Sequence, residues 1–364
     1  MDRLKYIVLT GALCGLSACQ SHEWEVADDT DRRIYLKAQV ENASVQSRVP
    51  YELTAPTLVA PLEVDVWAST TTNKFENGKE NGSNEMVSYH TTARFTNAQE
   101  QLLDDVIYPK ENTVYFVGMH PKGWTTTDGT SASYVFSGKD DVMFVPQIEG
   151  RYAENATPEY WPTLTFKHLL TWLRIEMAAE SEAVRNAWGK VKKLTIKSRS
   201  KVTVDLGRTY VDKKHDDGAD ATVNFTGEED LSFYQTGTDD VFPKTEGYTL
   251  ELPKQDASGE IFPEVAYVLC APVNATEKNV VEGVEEPTDE YTLTVITEKR
   301  TVNLSIDLKS AADTYFKQST MGHQFTLRLR FKMGDNISVS AVATDWINGG
   351  IGKGDFDENS LNSK

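Results

Sequence analysis

The 364-residue sequence contains few of the residues that catalytic and metal sites use. It has three cysteines and six scattered histidines, and no two histidines lie at the short spacing of a zinc site. It also lacks the Gly-x-Ser-x-Gly segment that positions a hydrolase nucleophile. Its 55 acidic residues leave carboxylate chemistry open, but no pair stands out. We therefore predict no catalytic residues, no metal, no cofactor and a protein that is not an enzyme.

Acidic residues outnumber basic residues, and long apolar runs are missing. The formal charge of −18 disfavours nucleic acid as a partner. One apolar run, residues 7–16, follows Arg3 and Lys5 and precedes two small residues, which is the pattern of a signal peptide over residues 1–18. The run is shorter than the roughly 20 residues that a membrane-spanning helix needs.

The end of that segment, Leu-Ser-Ala-Cys at residues 16–19, resembles the lipobox of bacterial lipoproteins. The resemblance implies that a signal peptidase cuts between Ala18 and Cys19 and that lipid is attached to Cys19. Each buried methylene contributes roughly 0.8 kcal/mol, so several acyl chains would hold the protein at a membrane. Gln20 resembles the residue of lipoproteins that move on to the outer membrane. The polar residues 19–30 are predicted to form a flexible tether.

The cysteines predict a chain without an internal disulfide. Cys14 would leave with the signal peptide and Cys19 would carry lipid, so Cys270 has no partner. Cys270 lies in the apolar run of residues 265–273, which predicts a buried, unreactive thiol. His168, among apolar neighbours, is likewise predicted to be a structural imidazole.

Most of the chain is predicted to form short strands. Ile34, Leu36, Ala38 and Val40 alternate with polar residues, which is the period of a half-buried strand. Similar runs, separated by clusters of Gly, Asn, Pro and Asp, occur at residues 62–67, 113–119, 134–136, 142–145, 163–166, 169–177, 193–197, 202–206, 264–272, 291–297, 302–308, 325–331 and 337–343. The last two runs are predicted to form a hairpin.

Helices are predicted to be few. One short helix is expected between Ser181, its N-cap, and Gly189, its stop. Residues 99–106 show helical spacing for one or two turns at most, and residues 70–88, rich in Asn, Gly, Lys and Glu, are predicted to be an exposed loop. The pattern predicts an all-β protein of two β-sandwich domains, residues 31–160 and residues 161–364, with few short helices.

Four segments together resemble the fimbrillin family of Bacteroidales, the type V pilin superfamily. They are the lipobox at Cys19, the strand from Ile34 followed by Gln-Ser-Arg-Val-Pro at 46–50, the segment 165–177, and the segment 322–346. The resemblance implies two tandem transthyretin-like β-sandwich domains, export as a lipoprotein, and removal of the first strand by an arginine-specific protease. A strand from another subunit would then fill the groove, so the partners would be other pilus subunits.

On that resemblance, residues 34–40 form the removable strand, and the protease would cut between Arg48 and Val49, in a polar linker. An ordinary exposed arginine at position 48 explains the same residues equally well. Arg32 and Arg33 are poorer sites, because a cut there would leave the strand attached. Residues 337–346 have the alternation of a donor strand, whereas the tail from residue 347 is too polar to donate. Stalk, tip and anchor subunits all stay open.

The resemblance also implies a place at the surface of the outer membrane, within a fimbrium, and a role in adhesion to a host or bacterial surface ligand. A second hypothesis is a surface lipoprotein that binds carbohydrate. It depends on Trp124 and Trp161, which are predicted to be exposed and whose rings could stack on sugars.

Overall fold

The structure is a computed structural model, and it describes residues 32–40, 62–75, 79–81, 85–95, 101–152, 161–207, 223–236, 240–242, 252, 262–273, 291–306, 308, 320–334 and 336–344. These residues form nineteen strands and one helix, α1, which spans Glu182–Trp188 and lies between the eleventh and twelfth strands. The strands are β1 Arg33–Val40, β2 Leu62–Ser69, β3 Lys79–Asn81, β4 Glu85–Phe95, β5 Gln101–Ile107, β6 Val114–His120, β7 Thr125–Thr126, β8 Ser131–Val135, β9 Met143–Gly150, β10 Thr163–His168, β11 Thr171–Ala179, β12 Val191–Asp205, β13 Val223–Ser232, β14 Tyr234–Gln235, β15 Glu264–Cys270, β16 Tyr291–Thr297, β17 Thr301–Ile306, β18 Gln324–Phe331 and β19 Ile337–Thr344. The prediction of an all-β, sandwich-like protein is confirmed.

The first sheet has eight strands in the order β2-β6-β9-β10-β1-β5-β4-β3, and a further pairing between β2, at one end, and β4, next to the other end, closes it. β2 and β4 pair antiparallel from Leu62–Phe95 to Ser69–Ser88. Between β4 and β5 the connection is a single parallel pair, Glu85 with Ile107. The strands thus surround one apolar core, which includes Ile34, Leu36, Val64, Phe95, Phe116 and Phe166.

Two further sheets enclose a second core. One has five strands in the order β14-β15-β11-β18-β19, and the other has six, β17-β16-β12-β8-β7, with β13 also paired to β12. Apolar residues from both sheets, such as Leu173, Phe325, Ile196 and Leu293, belong to one buried cluster. The predicted hairpin is confirmed, because β18 and β19 pair antiparallel in an unbroken register from Gln324–Thr344 to Phe331–Ile337.

The single predicted helix is also confirmed. The Ser181 hydroxyl accepts a hydrogen bond from the Val184 amide at 3.3 Å, and Gly189 ends the helix with φ at 73°. The positive φ explains the glycine, because a side chain with a Cβ rarely adopts that conformation. Trp188 is fully buried, so α1 is fixed to the second core.

Several local predictions are wrong. Residues 99–106 contain no helix in the described part, residues 101–106; they form most of β5, which pairs with β1. The predicted exposed loop at 70–88 contains β3 and the start of β4, and Phe75 within it is fully buried. The runs predicted as separate strands at 193–197 and 202–206 belong to one strand, β12. For β5 and β12, pairing with strands distant in sequence outweighs the local spacing of apolar residues, whereas β3 forms a local pairing with β4.

The division into two domains near residue 160 stays a prediction, and strands cross that position in both directions. β10 follows it but pairs with β1 and β9 in the first sheet. β7 and β8 precede it, but β8 pairs with β12 in the six-stranded sheet, and β7 pairs with β8. Trp67 and Phe144, from strands of the first sheet, also pack in the second core. The two halves of the chain therefore share both strands and packing.

Asp65 of β2 fixes the chain where it leaves the first sheet for β7. Its Oδ2 accepts hydrogen bonds from the amides of Gly123 at 2.6 Å and Trp124 at 2.8 Å. Its Oδ1 lies 3.3 Å from both His90 Nε2 and Thr92 Oγ1. Burial alone would raise the pKa of Asp65, but the hydrogen bonds from His90, Trp124 and Gly123 outweigh it and lower the pKa.

Replacing Asp65 by Asn should lower the free energy of unfolding at pH 7 by about 2 to 4 kcal/mol, because the buried Trp124 amide and the part-buried Gly123 amide lose an ionised acceptor. Since the folded-state pKa is the lower one, the carboxylate stabilises the fold above its unfolded pKa of about 4, and this contribution is lost as the pH falls further. Urea denaturation at pH 7 and pH 3 measures both effects. The exposed Asp128→Asn change should have a far smaller effect, and an equal effect would contradict the role of Asp65.

Candidate functional site

The first strand, β1, occupies an interior slot in the first sheet and changes partners along its length. Its first half, Arg33 to Leu36, pairs antiparallel with β5. Its second half, Lys37 to Val40, pairs in parallel with β10. The register shifts between Arg33 and Ile34, where the strand first meets β5. Removal of β1 would therefore free hydrogen-bonding groups on two strands at once, one on each side of the slot.

The inward side chains of β1 fill the slot. Ile34 and Leu36 are completely buried, and Ala38 and Val40 nearly so, within the core of the first sheet. The alternation of the sequence produces this arrangement, because successive side chains of a strand point to opposite faces. The predicted half-buried strand is confirmed. Without β1, the core would expose four apolar sites in a row, three of which fit a large aliphatic side chain and one of which fits an alanine.

The outward side chains of β1 contact the segment around β10. The Tyr35 ring stacks on the Trp161 indole, with centroids 4.4 Å apart and planes at 13°. The Lys37 amide donates a hydrogen bond to the Pro162 carbonyl at 2.9 Å. Gln39 Nε2 donates to the Thr165 hydroxyl at 2.8 Å. Tyr35 and Lys37 are half-buried and Gln39 is exposed, so the outer face adds partly shielded contacts to the core packing on the inner face.

The start of the slot is fixed by Arg32, immediately before β1. Its guanidinium forms a hydrogen-bonded ion pair with Glu85 of β4 and also donates to the Tyr108 carbonyl at 3.1 Å. The Tyr108 amide in turn donates to the Arg32 carbonyl at 2.8 Å. Arg32 is 8% exposed, which is a poor position for a protease site and agrees with its low ranking from the sequence.

The proposed donor strand, β19, lies at the end of the five-stranded sheet. Among the described strands it pairs only with β18. Ile337 and Ala341 are buried, and Val339 packs against the second core. The strand contains no charged residue and no proline, which are features that commonly prevent edge strands from pairing with other chains.

Four residues of the sequence-based site lie outside the described residues. They are Ala18 and Cys19 of the predicted lipobox and Arg48 and Val49 of the predicted cut. The structure therefore does not bring them together with the slot, and their roles stay predictions. The polar tail from residue 347 is also outside the described residues.

The two tryptophans of the carbohydrate hypothesis have different environments. The prediction that Trp124 is exposed is wrong, because it is 4% exposed and stacks on Tyr134. Asp65 holds its backbone amide, which keeps the ring against the second core. Trp161 is half-buried, and Tyr35 lies against one face of its ring. A sugar could therefore reach at most one face of one of the two predicted rings.

The predicted buried groups have structural environments. Cys270 is fully buried and free, and burial raises its pKa to about 12, which keeps the thiol protonated and unreactive. His168 Nδ1 lies 2.9 Å from Asp141 Oδ1, and both side chains are buried, as expected for a structural imidazole. Within the described ranges, no group of three or more His, Cys, Asp or Glu side chains could hold a metal ion. The described part of the chain also has no helix with the length and apolar character to cross a bilayer.

Sequence reasoning missed the contacts on the outer face of the slot. Tyr35 is an aromatic residue at an outward strand position, and Trp161 directly precedes Pro162 and β10. Both residues are visible in the sequence as large rings flanking or within strands. The sequence does not show that the two rings stack, because the stack depends on the parallel register of β1 with β10.

No protein-family model matches the chain, and no curated protein sequence matches it significantly. Similar solved structures include a candidate cell adhesion protein from Bacteroides uniformis, with 18% identity and a TM-score of 0.48 over 87% of this chain and 99% of that chain. A fimbrial protein from Bacteroides vulgatus has 14% identity and a TM-score of 0.43 over 86% and 99%. A candidate polysaccharide binding protein from Bacteroides thetaiotaomicron has 10% identity and a TM-score of 0.42 over 86% and 96%. Because these identities and TM-scores are low, we base the functional proposal on the residues of this chain.

Replacing Leu36 by Ala should lower the free energy of unfolding by about 2 to 5 kcal/mol, because the slot loses a completely buried side chain and gains a cavity. Chemical denaturation of the full chain measures the change. The neighbouring outward substitution Lys37→Ala is the matched control, with an expected change of about 0.5 kcal/mol or less. Equal effects of the two substitutions would contradict the assignment of the inward and outward faces.

Proposed function

We propose that this protein is a fimbrial subunit, exported as a lipoprotein through Cys19, which assembles by strand exchange at the slot of β1. Proteolysis removes residues 34–40, and a strand from another subunit replaces them. The protein then serves adhesion at the surface of the outer membrane and performs no catalysis. The observation that carries the proposal is the position of β1, between two strands and over an apolar core.

The energetics of the slot favour replacement over an empty groove. Burial of a large aliphatic side chain contributes about 1.5 to 3 kcal/mol, so Ile34, Leu36 and Val40 together contribute roughly 5 to 9 kcal/mol. Folded domains are stable by only about 5 to 15 kcal/mol. A first sheet without β1 is therefore expected to be close to unfolding. Most of the lost burial free energy is recovered when another strand with alternating apolar residues enters the slot.

The strand that best fits the slot from the described chain is β19 of a second copy. Read along each strand, the inward residues follow the pattern I-x-L-x-A-x-V in β1, and alternate residues follow I-x-V-x-A-x-A in β19. The small residue falls at the same position, and the other residues of β19 are equal in size or smaller. β19 also has to break only one strand pairing to leave its own sheet, because it pairs with β18 alone among the described strands. We infer that β19 supplies the donor strand.

Cleavage after Arg48 would separate β1 from the rest of the chain. Eight residues lie between the end of β1 at Val40 and Val49, so a cut there releases the whole strand. A cut after Arg32 or Arg33 would leave β1 joined to its linker. Arg48 is therefore the arginine whose cleavage matches the geometry of the slot.

Incubation of the purified full-length chain with an arginine-specific protease should give a product that begins at Val49. The Arg48→Gln variant should lose this product, whereas Arg33→Gln should retain it, because only the first change removes the cleaved bond. N-terminal sequencing identifies the product. Electrophoresis under mild denaturation should then show a ladder of oligomers for the cut wild-type chain and none for Arg48→Gln.

Two results would overturn the polymerising function. One is a chain that is never cut between β1 and β2 by this class of protease. The other is a cut chain that has lost residues 34–40 and stays monomeric at high concentration. The Ala341→Trp variant is a further check, because it should block donation by placing a large ring at the position of Ala38, where the slot accepts only a small side chain, while leaving the cut unchanged.

A further inference from the structure

The outer face of the slot can distinguish one strand from another. The four inward residues of β1 make apolar contacts that any strand of similar alternation would reproduce. The outward contacts are more specific, since they comprise an aromatic stack between Tyr35 and Trp161 and a side-chain hydrogen bond from Gln39 to Thr165. Stacked rings add to the energy of burial, and their geometry excludes most other side chains.

A β19 strand in the slot would make neither contact. With the two inward patterns aligned, Ser338 takes the position of Tyr35, and Val342 takes that of Gln39. Serine has no ring to place against Trp161, and valine has no donor for the Thr165 hydroxyl. The outer face therefore favours β1 over β19, even though the inner face accepts both.

Building on the proposed strand exchange, we propose that Tyr35 and Trp161 form a latch that retains β1 in its slot after the chain has been cut. Cleavage and release of the strand are then separate steps. The incoming strand meets an occupied slot and has to displace β1. The slot is therefore never left empty. Trp161 acts here as a positioning residue that sets which strand is bound and how long it stays.

The retention can be measured on the full chain without relying on Arg48. A recognition site for a sequence-specific protease is inserted between residues 41 and 50, and the chain is cut completely. Gel filtration followed by mass spectrometry shows whether the N-terminal fragment stays bound. Its release rate is measured by competition with an excess of a fluorescent synthetic peptide of residues 31–44.

For the wild-type chain, the fragment should elute with the rest of the protein. Tyr35→Leu and Trp161→Leu should each release it about threefold to tenfold faster, as expected from the loss of one stacked pair. Tyr35→Phe should release it at the wild-type rate, because the ring is retained. Tyr134→Leu removes the stack on Trp124, distant from β1 in the strand order, and should also leave the rate unchanged.

Loss of the wild-type fragment on the column would overturn the latch, and so would equal release rates for the wild type and Tyr35→Leu. If Trp161→Leu does not fold, Tyr35→Leu decides the question, because its substitution is on the fragment itself. The readout is release of a fragment. All rates are measured on dilute protein, so that β19 of a second copy does not displace the fragment. The result therefore does not depend on whether the chain polymerises or is cut at Arg48, and a failure of the proposed function is seen separately.

Discussion

The pairing of β1 with β5 through its first half and with β10 through its second half is the constraint on which the first sheet depends. When an edge strand leaves a sheet, only one set of strand–strand hydrogen bonds is broken. β1 instead lies between β5 and β10, and among the described strands these two do not pair with each other. Its inward residues lie in the middle of the core, and Arg32 anchors its start to Glu85. Strand order, core packing and the electrostatic anchor thus all depend on the same short segment.

The two sheets around the second core are joined to the first sheet by more than a linker. β10 ends at His168 in one sheet, and β11 begins at Thr171 in another, so only two residues separate the sheets at this point. His168 is held by Asp141, and the Leu169 amide donates to the Val142 carbonyl at 2.9 Å. Such a short, buried connection leaves the two sheets little freedom to move independently, because packed interiors deform little.

The sequence predicted strands well wherever one face of the strand is buried and the other is not. β1 and β18 show this alternation clearly, and the cap residues Ser181 and Gly189 located the helix from local chemistry alone. β5 was missed because adjacent apolar residues and two aspartates give it the spacing of a helical turn, and only its pairing with β1 makes it a strand. The burial of Trp124 was missed for a similar reason, since Asp65 and Tyr134 hold it from elsewhere in the chain. For the slot, the sequence identified the strand that fills it but not its neighbours, because register between distant segments leaves no local signal.

The parallel pairing of β1 with β10 joins residues that are 126 positions apart, such as Gln39 and Thr165. Because synthesis starts at the N-terminus, β1 is made long before β10, and the second half of β1 cannot pair until β10 follows. Contacts of such long range slow folding, because a large loop must close before they form. While the chain is being made, the apolar face of β1 is thus exposed for longer than that of any later strand of the first sheet. β1 is therefore the segment of the first sheet most open to wrong association before β10 has been made.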